Sequence, residues 1–171
     1  MYEIGDYIIY GNNGVCRVES VGPLNSPDIP KDRVYYTLSP YYMKGSRIFT
    51  PADNQKVIMR PVISKEEALE LIDNIKDIDS LWIPDEKKQE YQYKEALRTC
   101  DCSDLVKIIK TIYMRKQSRM EEGKKITSSD EKYFQMAEDR LYGELAISLD
   151  MDIEDVKEFV VARVEQLTAA Q

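Results

Sequence analysis

The chain has 171 residues, 43% of them hydrophobic, and 31 Asp and Glu against 24 Lys and Arg give it a net charge of −7. That apolar content can build one moderately large domain or two small ones, and it argues against wholesale disorder. Histidine is absent, which removes the commonest general base and the commonest metal ligand.

No stretch reads as a membrane span or a secretory signal, so the expectation is a cytoplasmic protein that keeps away from membranes. Cys16, Cys100 and Cys102 are an odd set, and the last two stand too close for an ordinary disulfide, which fits reduced thiols. Without histidine or a second cysteine pair they do not complete a tetrahedral zinc site. No P-loop, dinucleotide-binding or nucleophile-elbow spacing occurs. The expectation is a non-enzyme without catalytic residues, metal or cofactor. An enzyme here would rest on carboxylates alone, and no paired constellation stands out among them.

The first sixty residues carry short strand patterns. Tyr7-Ile8-Ile9-Tyr10 and Val15-Cys16-Arg17-Val18 flank Gly11-Asn12-Asn13-Gly14, a hairpin signal because Asn and Gly tolerate positive φ. A loop from Pro23 to Pro30 follows. Next come Val34–Leu38 and Ser46–Thr50 around the Lys44-Gly45 turn, and then Val57-Ile58-Met59. About five short strands in so little chain predict a small, strongly bent barrel.

The remainder is helical in period. Ser64-Lys65-Glu66-Glu67 has the form of a capping box, ahead of an apolar stripe through Ala68, Leu69, Leu71, Ile72 and Ile75. The next helix is expected to start near Pro84 and to break at Thr99–Ser103, with Ser103 capping its successor. In that successor Leu105, Ile108, Ile109, Ile112 and Tyr113 predict one buried face. Gly123 ends it, and Ser128-Ser129-Asp130-Glu131 predicts another capping box. The helix that follows carries Phe134, Ala137, Leu141, Leu145 and Ala146, and a last one runs from about Asp152 through Val156, Phe159, Val160 and Val164.

Charge is divided unevenly. Lys87 to Lys125 holds eleven basic and six acidic residues, whereas Ser128 to Gln171 holds four basic and eleven acidic. A chain arranged in this way can meet an anion with one surface only.

Several stretches together resemble CarD-type bacterial transcription regulators. They are Tyr2-Glu3-Ile4-Gly5-Asp6-Tyr7-Ile8-Ile9-Tyr10-Gly11-Asn12-Asn13-Gly14-Val15, then Phe49-Thr50-Pro51-Ala52-Asp53-Asn54, then Met59-Arg60-Pro61-Val62. In the helical half Tyr93-Lys94-Glu95-Ala96-Leu97, Ser128–Lys132 and Leu141–Ala146 echo the same family in the same order. The resemblance implies an α+β protein: a small Tudor/SH3-like β-barrel over residues 1–62, followed by an all-α helical bundle over 63–171. The barrel module, which also occurs in the transcription-repair coupling factor, would bind the RNA polymerase β subunit. The bundle would contact promoter DNA, backbone and minor groove, at the upstream edge of the melted region. A monomer is expected.

The residues expected to meet the polymerase are Leu24, Arg47, Ile48, Phe49 and Pro51, with Ser46–Thr50 as the edge strand and Arg47 and Phe49 on one face. Leu24 and Phe49 stand where the family can place arginines, which implies a more apolar interface. Phe49 as a plain core residue is the competing reading. For DNA the expected residues are Trp82, Lys87, Lys88, Lys94, Lys124, Lys125 and Lys132, with the tryptophan wedged against a splayed base step and lysines on phosphates. Trp82 stands seventeen residues before Thr99, about one helical turn farther than in the family. Two readings therefore stay open: an exposed ring at the end of a lengthened helix, or a ring packed between the domains. A second function also stays open, an RNA-polymerase-binding adaptor without significant DNA contact.

Overall fold

In the computed structural model, which describes residues 1–169, the strand-patterned and helix-patterned halves are separate units that meet at Val62 and Ile63. The first is a five-stranded antiparallel sheet of β1 (Tyr7–Tyr10), β2 (Val15–Gly22), β3 (Tyr35–Pro40), β4 (Ile48–Pro51) and β5 (Met59–Pro61). Its order is β4-β3-β2-β1-β5, so β4 and β5 are the two edges. Ile8, Cys16, Val18, Tyr36 and Leu38 form the buried face, and Tyr2, Tyr10 and Ile48 pack against it.

The Asn-Gly hairpin forms as expected, with a single 3₁₀ turn over Gly11–Asn13 between β1 and β2. The last strand begins two residues later than the pattern suggested. Gly11 is the reason: its φ is +47°, and a Cβ there would stand 2.7 Å from Val57. Its amide bonds the Ile58 carbonyl instead. Val57 and Ile58 thus close over the turn, and only Met59 onward pairs with β1. A register shift between Val18 and Ser20 marks a bulge in β2.

The second unit holds five helices: α1 (Lys65–Asp73), α2 (Gln89–Arg98), α3 (Cys102–Glu121), α4 (Ser128–Leu149) and α5 (Ile153–Ala169). Ser64 and Glu67 form the capping box read from the sequence. Three other starts differ by a residue or more, each because a better acceptor lies nearby. The helix expected at Pro84 begins instead with Asp85, whose carboxylate accepts from the Lys87 amide and opens a 3₁₀ turn over Glu86–Lys88. Asp101 rather than Ser103 caps α3, after Cys100 turns the chain with φ +57°. Thr127 rather than Ser128 caps α4, accepting from the Asp130 amide at 3.1 Å.

The core of this unit gathers Ile72, Tyr93, Leu97, Leu105, Ile108, Ile112, Tyr133, Leu141, Leu145 and Val156. The buried face of α3 is rotated from the expected one. Val106 and Thr111 are buried, whereas Tyr113 is 56% exposed, because α3 packs against both α2 and α4. Phe134 is half-buried and Tyr133 takes the core position beside it. Glu144 is buried and ties the unit's entry to its interior: it accepts from the Ile63 amide at 3.0 Å and from the Cys102 thiol at 3.2 Å. All three cysteines are buried, and none forms a disulfide among the described residues. Among the described residues no helix is long and apolar enough to cross a membrane, and no three acidic, cysteine or histidine side chains are grouped to hold a metal.

Candidate functional site

Two surfaces collect the residues singled out in the sequence. On the sheet, β4 is an edge strand whose residues alternate strictly. Ile48 pairs with Leu38 and turns to the core, and Thr50 is buried beside Tyr36. Phe49 pairs with Thr37 on the opposite face and is 54% exposed, so it is not a core residue. Arg47 stands exposed just before the strand, and Pro51 closes it half-buried. Leu24 lies half-buried in the loop between β2 and β3. The edge thus offers a cation and an aromatic ring side by side.

On the helical unit, the segment between α1 and α2 is strapped along α3. Leu81 donates its amide to Thr111 Oγ1 at 2.8 Å, and the Lys110 ammonium donates to the Ile78 carbonyl. Leu81 and Ile83 pack against the core. Trp82, between them, faces away and is 81% exposed. In this segment successive side chains take opposite sides, so anchoring its two neighbours is what holds the ring out. Burying an indole yields up to several kcal/mol; an unburied one on an anchored segment is poised for a partner.

The lysines are organised by a buried carboxylate. Asp130, 1% exposed, accepts from Gln89 Nε2, from the Tyr93 hydroxyl at 3.1 Å and from Arg115 Nε at 3.0 Å. Those donors come from α2 and α3, so one α4 side chain fixes the start of α2 against the start of α4. Lys87 and Lys88 directly precede Gln89, and Lys124 and Lys125 stand three and two residues before the α4 cap, Thr127. The Lys125 carbonyl is held in turn by Arg119 Nε at 2.7 Å. Beside the hub, the Tyr133 hydroxyl bonds Glu90 at 2.9 Å. That bond, with Lys94 and Lys132 nearby, holds the Glu90 carboxyl below its usual range. Lys94 and Lys132 therefore share one surface.

All six lysines are exposed, but they differ in freedom. Lys94 pairs with Glu90 at 3.6 Å and Lys124 with Glu122 at 3.4 Å, while Lys132 sits over the Tyr133 ring. Lys87, Lys88 and Lys125 make no ion pair among the described residues. Exposed pairs of this kind contribute about 0–1 kcal/mol, so an arriving phosphate can displace them. The hub itself escaped the sequence reading. Asp130 looked like part of a cap, and its donors lie 15 to 41 residues away, beyond the reach of any local period.

Residues 2–63 match the family model described as the CarD-like/TRCF RID domain. That span covers every strand of the sheet, and the match stops where the helical unit begins. No curated protein matches the chain. The domain match attaches the sheet to interaction with RNA polymerase and to transcription, which accords with an edge strand presenting Arg47 and Phe49. The N-terminal unit of this chain is thus similar to the CarD-like/TRCF RID domain.

Proposed function

We propose that the chain is a non-enzymatic transcription regulator that links RNA polymerase to promoter DNA. The sheet, read as a Tudor-like module, docks on the β subunit by adding its β4 edge to a strand of the partner, with Arg47 and Phe49 supplying side-chain contacts and Leu24 and Pro51 flanking them. The lysine-bearing end of the helical unit lies on the DNA backbone at the upstream edge of the bubble, and Trp82 wedges into the minor groove. Wedging favours the melted duplex by differential affinity, and no bond is made or broken. A monomer acting in the cytoplasm completes the reading.

The observation that carries it is Trp82, an exposed ring held out by two neighbours that pack on the core, with the unpaired Lys87 and Lys88 five and six residues farther along the chain. Open complexes assembled with Trp82→Ala protein should dissociate several-fold faster than with the natural chain, while retention on polymerase stays the same. Equal loss of both would reassign Trp82 to folding. The adaptor reading without DNA contact draws support from the acidic helical half and from the Glu partners of Lys94 and Lys124. Salt-dependent binding to a bubble-containing duplex in the presence of polymerase separates the two, because only phosphate contacts give a steep salt slope.

A further inference from the structure

The outer face of the sheet carries a second feature, beside the β3–β4 turn. A cavity of about 660 Å³ opens there, lined by Arg17 and Glu19 of β2, Ser39 at the end of β3, and Tyr41, Tyr42 and Lys44 of the β3–β4 turn. Arg17 pairs with Ser39 across the ladder, which sets both on the face opposite Cys16, Val18 and Leu38. The Tyr41 amide bonds the Val15 carbonyl at 2.9 Å and so fixes the turn to β2. Tyr7 meets the Tyr41 ring edge-on at 5.7 Å, and Tyr42 meets it edge-on at 4.8 Å. The result is a braced aromatic wall in a cavity that Arg17 and Lys44 also line.

We infer that this cavity binds a nucleobase carrying a phosphate, the base against the Tyr41–Tyr42 wall and the phosphate between Arg17 and Lys44. The volume lies in the range of small-ligand sites. Two cations against one carboxylate line it, in a chain whose net charge is −7. Lys44 makes no ion pair among the described residues. Arg17 gives only Nη1 to Glu19, at 3.3 Å, and keeps further donors for an anion. Glu19 can accept an exocyclic amino group, as can the Ser39 hydroxyl. Burial, with Tyr41 beside it, pushes the Tyr42 phenol up to about 12, so near neutral pH it remains an uncharged ring that does not repel phosphate. Base–aromatic stacking contributes about 1–3 kcal/mol and every base has a face to stack.

The chemistry is shared by a free nucleotide and by a single strand. Calorimetric titration of the full chain with adenosine diphosphate and with a hexadeoxyadenylate distinguishes them. Saturable binding of either supports the site, and the tighter probe names the source. Inorganic pyrophosphate and hexaglutamate serve as probes with charge but no base. Tyr42→Ala and Lys44→Ala should each weaken the base-bearing probe roughly tenfold, and Tyr42→Phe should stay within about twofold because the ring is kept. The inference is overturned if neither base-bearing probe saturates, if pyrophosphate or hexaglutamate binds as tightly, or if the Lys44→Ala and Tyr42→Ala chains both bind like the natural one. Retention on polymerase, which rests on β4, is a separate readout.

Discussion

The two units solve the problem of presenting a surface in different ways. The sheet buries a small cluster of five residues behind one face, and its exposed edge is positioned by backbone pairing, with Phe49 following from the register Thr37↔Phe49. The helical unit positions its surface through buried charge. Asp130 and Glu144, each 1% exposed, collect donors from α2, from α3 and from Ile63 ahead of α1. A ladder fixes side chains every second residue without polar cost, whereas helices converging at their ends leave polar groups that must be satisfied together. Disturbing the sheet should therefore cost apolar packing, and disturbing the bundle should cost a charged network.

The largest expected effect lies in that network. Asp130→Ala leaves the Arg115 guanidinium, the Gln89 amide and the Tyr93 hydroxyl without their shared acceptor at a position that is 1% exposed. Breaking such a buried pair costs roughly 3–5 kcal/mol. Chemical denaturation followed by helical circular dichroism should show the midpoint falling accordingly. A loss below about 1 kcal/mol would mean that water replaces the carboxylate and that the hub does not hold the lysines in place.

The counterpart in the sheet is Leu38→Ala. Leu38 is fully buried and pairs with both Val18 and Ile48, so truncation should cost about 2–5 kcal/mol through lost transfer energy and a cavity. The near-ultraviolet signal of the tyrosine-rich sheet should be lost at lower denaturant, with helical dichroism retained. Simultaneous loss of both signals would show that the units do not unfold independently and would remove the contrast drawn above.

The difference between the units also governs how much could be read in advance. Strand existence, the hairpin at Gly14, the edge position of β4 and the capping box at Ser64 are local patterns of two to four residues, and each appears in the structure. The helix starts at Asp101 and Thr127 differ from the expected ones because two acceptors stand within a residue or two and geometry chooses between them, while at Pro84 the neighbouring Asp85 supplies the acceptor that proline lacks. Strand count predicts a small, strongly bent barrel, and the ladder leaves β4 and β5 as unpaired edges, so the sheet does not close into one. Val57 closes over Gly11, where a Cβ would not fit, and the Gly11 amide bonds the Ile58 carbonyl, a close approach that no local rule contains. The Asp130 hub was invisible because its donors converge only after α2, α3 and α4 pack. Trp82 stood out by composition, yet its exposure depends on Thr111 holding Leu81.

A smaller effect separates presentation from stability on the sheet itself. Phe49 is exposed and makes no part of the buried cluster, so Phe49→Ala should change the unfolding free energy by no more than about 0.5 kcal/mol. Retention on the polymerase β subunit should nevertheless fall about tenfold or more, since a ring buried at an interface contributes more than 1 kcal/mol. Unchanged retention would move the docking surface off β4.

The smallest effect concerns alkaline pH and asks which unit yields first. In the sheet, burial pushes the Cys16 thiol from 9.0 up to about 11. In the bundle, burial pushes the Tyr93 and Tyr142 phenols from 10.0 up to about 12, and in the sheet the Tyr42 phenol moves the same way. Each folded value lies above the unfolded one, so the native state holds its proton longer. The stability contribution is complete below the unfolded value and is lost as pH rises through the folded one. For Cys16 that window runs from 9.0 to about 11, and for Tyr93 and Tyr142 from 10.0 to about 12. Denaturation midpoints measured across this range should fall first in the sheet signal, and Cys16→Ser should remove that early fall while leaving the later one in the bundle. An early fall that survives Cys16→Ser would assign it to a group other than the buried thiol, and the two units would then differ in how they place charge but not in how they lose it.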